Sequence, residues 1–140
     1  MTSRGLRYNY DNMSDPFASS DSVRLSGQSV NTKQVRLSGP INLEKGDCLP
    51  FVDVCYENWG ALSQEQDNAV LICHAVSGDS HVAKHQHTDQ PGWWDLMVGP
   101  GKSIDTGRFF VICSNVLGGC RGTTGPNSIN PVTGLRYGAG

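Results

Sequence analysis

The sequence lacks any apolar run close to the roughly 18 residues that a membrane-spanning helix needs. Its first twenty residues, MTSRGLRYNYDNMSDPFASS, also lack the apolar segment of a secretory signal. It has no excess of positive charge, since 11 basic residues are scattered among 13 acidic ones, which argues against binding to nucleic acid or anionic lipid. We therefore expect a cytoplasmic protein that acts on small molecules, with no membrane or nucleic-acid partner.

The five cysteines are not spaced as a disulfide framework or a zinc site requires, because the sequence contains no CxxC pair. We therefore expect buried free thiols in a reducing compartment. The histidines of HVAKHQH (residues 81–87) have no cysteine or carboxylate at a recognisable spacing. We interpret this segment as a polar surface loop and predict no metal site.

A chain of 140 residues is about one domain long. Residues 1–33 contain few large apolar side chains and many Ser, Asn and Asp, so they cannot bury enough surface to offset the entropy lost on ordering. We predict that residues 1–33 form a mobile polar arm and that residues 34–140 form the folded part.

The folded part begins with the pattern of β-strands. Residues 34–60 roughly alternate apolar and polar positions on both sides of the turn-prone EKGD (44–47), which predicts antiparallel strands. The continuous apolar runs AVLIC (69–73) and FFVIC (109–113) predict parallel strands covered on both faces. Only a weak helix candidate, at residues 93–97, lies between them to provide the crossover. The sequence thus predicts an α/β fold in which an antiparallel meander leads into parallel strands.

HAVSGDSHV (residues 74–82) directly follows the first apolar run and contains histidine, serine and aspartate. His74, Ser77 and Asp79 lie too close together to converge as a triad, because triads are assembled from distant segments. The hydrolase elbow GxSxG is absent from the sequence. A loop of small residues after a buried strand can instead expose main-chain N–H groups to a reacting carbonyl, as in an oxyanion hole.

GPGKS (residues 99–103) matches a phosphate-binding loop only in part. That pattern needs glycine at position 96, which is Leu96, and it needs the strand before the loop. We interpret the stretch as a turn that leads into a strand, with Lys102 as a solvated turn residue.

Two longer stretches are similar to a known family. VCYENWGALSQEQDNAVLICHAVSGDSHV (54–82) and PGWWDLMVGPGKSIDTGRFFVICSNVLGGCRGTTGPNSINPVTGLRYG (91–138) resemble the homoserine O-acetyltransferases, acyltransferases of the α/β-hydrolase superfamily. The resemblance implies that residues 34–140 form the amino-terminal part of an α/β-hydrolase domain, with an incomplete sheet. It also implies a homodimeric enzyme of methionine biosynthesis that moves an acetyl group from acetyl-CoA to L-homoserine through an acyl-serine intermediate, with no bound cofactor.

The resemblance also assigns residues to the active site. It places the backbone oxyanion donor at Val76, where the family usually has leucine, and it places Asn115, Gly118 and Gly119 near the floor of the site. The two glycines are explained equally well by a tight turn at the strand exit. The Trp93–Trp94 pair is better explained by packing than by acyl recognition.

The catalytic serine, aspartate and histidine of the superfamily are expected downstream of these 140 residues. On this reading none of the triad is present, so the chain alone is expected to be inactive and to expose strand edges. Two alternatives stay open. One is an O-succinyltransferase or a serine O-acyltransferase of the same family, and the other is a non-catalytic remnant or interaction module.

Overall fold

The computed structural model describes residues 31–139 of the chain. Of the predicted mobile arm, residues 1–30 lie outside the described residues, and the first strand begins within the arm's predicted bounds, at Lys33. Six strands follow one another in the described part: β1 (Lys33–Asn42), β2 (Cys48–Trp59), β3 (Ala69–Ile72), β4 (Val98–Gly99), β5 (Ile104–Asp105) and β6 (Phe110–Ser114).

β1 and β2 form an antiparallel hairpin around the predicted turn. The N–H of Leu43 donates to the carbonyl of Asp47, 2.8 Å away, and closes the loop between the strands. Gly46 adopts φ +93°, a backbone conformation that glycine reaches without steric cost. The register shifts between Ser38 and Ile41, next to a proline that cannot donate to the ladder. The position of the turn confirms the sequence prediction.

The main sheet has four strands in the order β1-β2-β6-β3. β2 pairs antiparallel with both β1 and β6, whereas β3 pairs parallel with β6. This confirms the predicted meander leading into parallel strands. Ile72 lies opposite Cys113 in the parallel pair, so β3 and β6 end side by side and their following loops leave from the same edge of the sheet.

The core lies between the sheet and the long connection from β3 to β6. β4 and β5 pair in parallel within this connection, and Val98 of β4 is fully buried. The buried cluster joins residues from the strands and from the connection: Trp59, Ile72, Val82, Ala83, Val98, Val111 and Cys113. All five cysteines are free, as predicted, but only Cys55 and Cys113 are buried.

The prediction of a weak helix at residues 93–97 is wrong, because this segment forms hydrogen-bonded turns. Met97 N–H donates to the carbonyl of Trp94 at 2.8 Å, which is a turn contact. Glycine and proline flank the five residues on both sides, and so short a segment cannot offset the cost of nucleating a helix. Residues 31–139 contain no helix, so none there is long and apolar enough to cross a membrane.

The prediction that both parallel strands are covered on both faces is wrong for β3. Ile72 is buried, but Leu71 is 66% exposed on the opposite face. β3 is the edge strand of the sheet that the described residues form, and no described element packs on that face. The apolar run therefore marks a surface suited to further covering elements, as expected for an incomplete sheet.

Candidate functional site

The candidate site is built from two loops that leave the same edge of the sheet. We call residues 73–82, after β3, the first exit loop, and residues 115–125, after β6, the second exit loop. His74 joins them, because Val116 N–H donates to its Nε2 at 3.3 Å while its Nδ1 lies 2.7 Å from the carbonyl of Ala75. His74 is thus bound to backbone groups, in agreement with the prediction that it forms no local triad with Ser77 and Asp79.

Val76 lies at the crest of the first exit loop. Its side chain is fully exposed, and the turn beneath it is closed by Gly78 N–H donating to the carbonyl of Ala75 at 2.8 Å. Among the described residues no group accepts a hydrogen bond from Val76 N–H. A turn closed by its own hydrogen bond that presents an unbonded N–H is an arrangement suited to an oxyanion donor. The assignment of Val76 to this role stays a prediction.

Asn115 fastens the second exit loop to the first. Its buried Oδ1 accepts from Ser80 N–H at 2.8 Å, and its Nδ2 donates to Ser80 Oγ and to the carbonyl of Arg121. Thr123 Oγ1 donates to the carbonyl of Asn115 at 2.9 Å. The side chain therefore holds the loops together, and a direct contribution to the floor of the site stays a prediction.

We expect Asn115→Ala to destabilise the protein by about 2–3 kcal/mol, because it leaves Ser80 N–H and the Arg121 carbonyl without their buried partner. Urea unfolding of the complete protein measures this difference. Asn127→Ala, at an exposed asparagine of the same region, is the matched control and should change stability little. Equal stability of Asn115→Ala and the control would show that Asn115 does not fasten the loops.

Gly118 and Gly119 form the turn of the second exit loop. Gly118 adopts φ +83° and its N–H donates to the carbonyl of Thr124, while Gly119 N–H donates to the carbonyl of Val116. Gly119 also borders a cavity of about 590 Å³ that faces β1 and β2. The turn accounts for both glycines, and their contact with a ligand stays a prediction.

A second cavity lies directly beside the first exit loop. It measures about 300 Å³ and is open to solvent. Trp93 Nε1 donates to the carbonyl of Asp79 at 2.8 Å and so fixes one wall against the loop. The cavity is lined by Ser77, Gly78, Asp79, His81, Pro91 and Trp93.

Below the first exit loop lies a cluster that the sequence did not predict, the Glu57 cluster (Glu57, Ser80, His81 and His85). The Glu57 side chain is 1% exposed, and its Oε2 lies 3.0 Å from His81 Nδ1 and 2.8 Å from His85 Nε2. Its Oε1 accepts from Ser80 Oγ at 3.4 Å. His85 stacks on Trp59, with the ring centroids 4.6 Å apart. A buried carboxylate therefore binds three residues of the loop region.

The interactions within the Glu57 cluster shift two pKa values in opposite directions. Burial raises the pKa of Glu57, but hydrogen bonds from His85 and His81 outweigh it, so this pKa lies below its ordinary value. Burial lowers the pKa of His81, but hydrogen bonds to Glu57 and the Gln90 carbonyl outweigh it, so this pKa lies above its ordinary value. Both shifts favour an ionised pair at neutral pH.

The Glu57 cluster also contains donor atoms of the kind that metal ions bind, since Glu57, His81 and His85 each place one within 4.8 Å of the others. The contacts of 2.8 and 3.0 Å are hydrogen-bond distances, and protons on the imidazoles account for both. The absence of a metal stays a prediction, and the geometry supports protons at these positions.

The interpretation of residues 81–87 as a polar surface loop is wrong for two of its histidines. His81 and His85 fold back onto β2 and contact Glu57, which is 24 and 28 residues away in the chain. Spacing rules for local motifs cannot find such a partner. The available signal was Glu57 itself, an acidic residue inside the apolar strand segment VCYENW, because buried carboxylates need partners.

The prediction that Lys102 is a solvated turn residue holds for the turn but not for the side chain. The turn between β4 and β5 is present, but Lys102 Nζ donates to the backbone carbonyl of Asp95 and lies 3.8 Å from its Oδ2. Trp93 and Trp94 stack on each other at 5.7 Å and remain partly exposed. The conspicuous GWWD and GPGKS segments therefore build the connection between β3 and β6.

Known proteins resemble this chain over most of its length. No family model matches it. A homoserine O-acetyltransferase of Methanohalophilus mahii is 53% identical over 110 residues, and a homoserine O-succinyltransferase of Magnetococcus marinus is 56% identical over 114 residues. Each match covers 78% of this chain. The chain is homologous to a part of the homoserine O-acyltransferases. It spans 23% and 29% of the length of these two relatives.

Solved structures agree with this relationship. A homoserine O-acetyltransferase from Bacillus anthracis matches with a TM-score of 0.66 and 41% identity, over 76% of this chain and 31% of that one. An esterase matches with a TM-score of 0.65 and 37% identity over the same shares. The described residues thus form part of an α/β-hydrolase fold, as predicted, and homoserine O-acyltransferases and esterases share it.

Proposed function

We propose that this chain is the part of a homoserine O-acetyltransferase that carries the oxyanion loop. The observation that supports it most is the first exit loop, a closed turn after a parallel strand with Val76 N–H unbonded among the described residues. In the α/β-hydrolase plan one oxyanion donor comes from the corresponding loop. The relatives named for homoserine acyl transfer support the choice of substrates.

The proposed reaction has two steps. A serine hydroxyl outside these 140 residues attacks the thioester carbonyl of acetyl-CoA, and CoA leaves as the thiol after the oxyanion collapses. The side-chain hydroxyl of L-homoserine then attacks the acyl-serine and releases O-acetyl-L-homoserine. Val76 N–H donates to the oxyanion in both steps. A histidine, also outside this chain, accepts the proton of each attacking hydroxyl and returns it to the leaving group, while an aspartate orients this histidine and stabilises its charged form.

The thiol of Cys113 is no alternative nucleophile. Its side chain is fully buried in the core, and burial raises its pKa to about 12. A thiol that stays protonated reacts poorly, because the thiolate is the nucleophile. The proposed mechanism therefore assigns the nucleophile to a serine of the complete protein and not to Cys113.

The choice of acetyl as the acyl group follows the resemblance of the chain. Relatives named for acetyl and for succinyl transfer are about equally similar to it, so the donor must be measured. We also propose that the complete protein is a homodimer in the cytoplasm, which sedimentation and fractionation would test.

The decisive experiment follows CoA release by the complete protein with acetyl-CoA or succinyl-CoA, and with L-homoserine, L-serine or no acceptor. We expect release that depends on acetyl-CoA and L-homoserine, with parallel double-reciprocal lines indicating ping-pong kinetics. Preference for succinyl-CoA or L-serine would identify the sister activities. Release without an acceptor would indicate an esterase-like hydrolase, and no turnover would indicate a remnant or an interaction module.

A further inference from the structure

The end of the first exit loop nearest the core depends on the side chain of His81. Its Nε2 lies 2.9 Å from the backbone carbonyl of Gln90, which can only accept, so Nε2 carries a proton. Its Nδ1 lies 3.0 Å from Glu57 Oε2. An ionised carboxylate also only accepts, so Nδ1 carries a proton as well. Proton counting makes His81 an imidazolium whenever Glu57 is ionised.

Burial makes this charge pairing a structural requirement. Glu57 is 1% exposed, and a buried carboxylate without a countercharge is costly. His85 also contacts Oε2 through its Nε2, but no described acceptor faces its Nδ1, so its contacts do not require a second proton on this ring. The other charged groups that face His81 are Asp79 and Asp95, both acidic, and they also favour its protonated form. His81 is thus the cation that Glu57 requires among the groups that touch it.

Two sets of hydrogen bonds connect the Glu57–His81 pair to the part of the first exit loop that contains Val76. His81 N–H donates to Asp79 Oδ1 at 3.0 Å, and the neighbouring Ser80 contacts Glu57 through its hydroxyl and Asn115 through its N–H. Val76 is four residues before Ser80, and the intervening turn is closed by Gly78. Loss of the charge on His81 would therefore weaken one of the contacts that hold this end of the loop on β2.

We infer that Glu57 and His81 are positioning residues of the oxyanion loop, with His81 acting as an imidazolium that ties the loop to β2. In this inference the role of Val76 rests on the proposed function, whereas the ionised Glu57–His81 pair does not depend on that function. Neither residue touches the reacting atoms, so their effect is on the geometry of the Val76 N–H. Such geometry matters, because displacement of a catalytic group by about 1 Å can cost about 100-fold in rate.

The pH dependence of the pair follows from the two pKa shifts. The pKa of His81 lies above its ordinary value, so its charge persists to higher pH than that of a free histidine and is lost as pH rises through this raised pKa. The pKa of Glu57 is lowered below 4.5, so the tie is lost on the acid side only when pH falls through that lower value. The ionised Glu57–His81 pair therefore persists to higher pH than it would if the pKa of His81 had its ordinary value.

The first test is ¹⁵N NMR of histidine-labelled complete protein. We expect His81 to be doubly protonated at neutral pH and to titrate above its ordinary range, and to titrate at lower pH in Glu57→Gln. Glu65→Gln, at an exposed glutamate, is the matched control and should leave His81 unchanged. A singly protonated His81 in the wild-type protein at neutral pH overturns the inference. A divalent metal bound to His81 and removable by a chelator also overturns it.

The second test uses kinetics of acyl transfer. His81→Asn can still donate to Glu57 but carries no charge, so we expect kcat to fall by about tenfold or more with KM little changed. The alkaline limb of the pH profile should move to lower pH in Glu57→Gln. His87→Asn, at an exposed histidine, should behave as wild type. Full activity of His81→Asn overturns the requirement for charge. If the wild-type protein transfers no acyl group, the proposed function fails while the NMR result still decides the pair.

Discussion

Gly92→Ala is expected to destabilise the protein by more than about 4 kcal/mol, an effect well beyond that of most single substitutions. A Cβ built at this position would lie 2.1 to 2.2 Å from the backbone of Val82 and Ala83. The two segments cannot move apart without breaking the bond from Trp94 N–H to the carbonyl of Val82, at 2.8 Å. Because Val82 ends the first exit loop, the substitution should disturb the candidate site together with the core.

The expected result is loss of soluble protein or a strongly lowered urea midpoint, with changed tryptophan fluorescence, since Trp93 and Trp94 follow the mutated position. Gly107→Ala is the matched control. A Cβ at Gly107 would meet only the Asp105 carboxylate, at 3.2 Å, which is the end of a flexible side chain. Similar stability of the two variants would show that the close approach at Gly92 is not required.

Periodicity alone located the four strands of the main sheet, because strand patterns are local. The alternation on both sides of residues 44–47 located the β1–β2 hairpin, and the two apolar runs located β3 and β6. The extent of burial was harder to predict. Leu71 belongs to an apolar run but is exposed, since covering a strand depends on elements far away in the chain.

The candidate site, too, could be predicted only in part. The position of the first exit loop could be predicted, because a loop that follows a parallel strand lies at the functional edge of such sheets. The Glu57 cluster could not, because its carboxylate and its imidazoles come from segments separated by 24 residues or more. The need for glycine at position 92 could not be predicted either. The atoms that a Cβ would meet there belong to the backbone of Val82 and Ala83, and a backbone contact leaves no pattern in the sequence.

The second large effect concerns the proposed oxyanion donor. Val76→Pro removes the backbone N–H and an exposed side chain at the second position of the turn that Gly78 N–H closes, a position that favours proline. Loss of one oxyanion donor typically lowers kcat by about 100- to 1000-fold. We expect that loss in the complete protein, with KM for acetyl-CoA changed far less, because the donor acts on charge that develops in the transition state.

Val76→Ala is the matched control, since it keeps the N–H and shortens only an exposed side chain. Its kcat should stay close to that of wild type, and circular dichroism should show that Val76→Pro folds normally, because the N–H that it removes has no acceptor among the described residues. Comparable kcat values for the two variants would exclude Val76 as the donor. A large loss in the proline variant alone would instead identify a catalytic group that side-chain scanning cannot detect, because alanine keeps the backbone N–H that donates to the oxyanion.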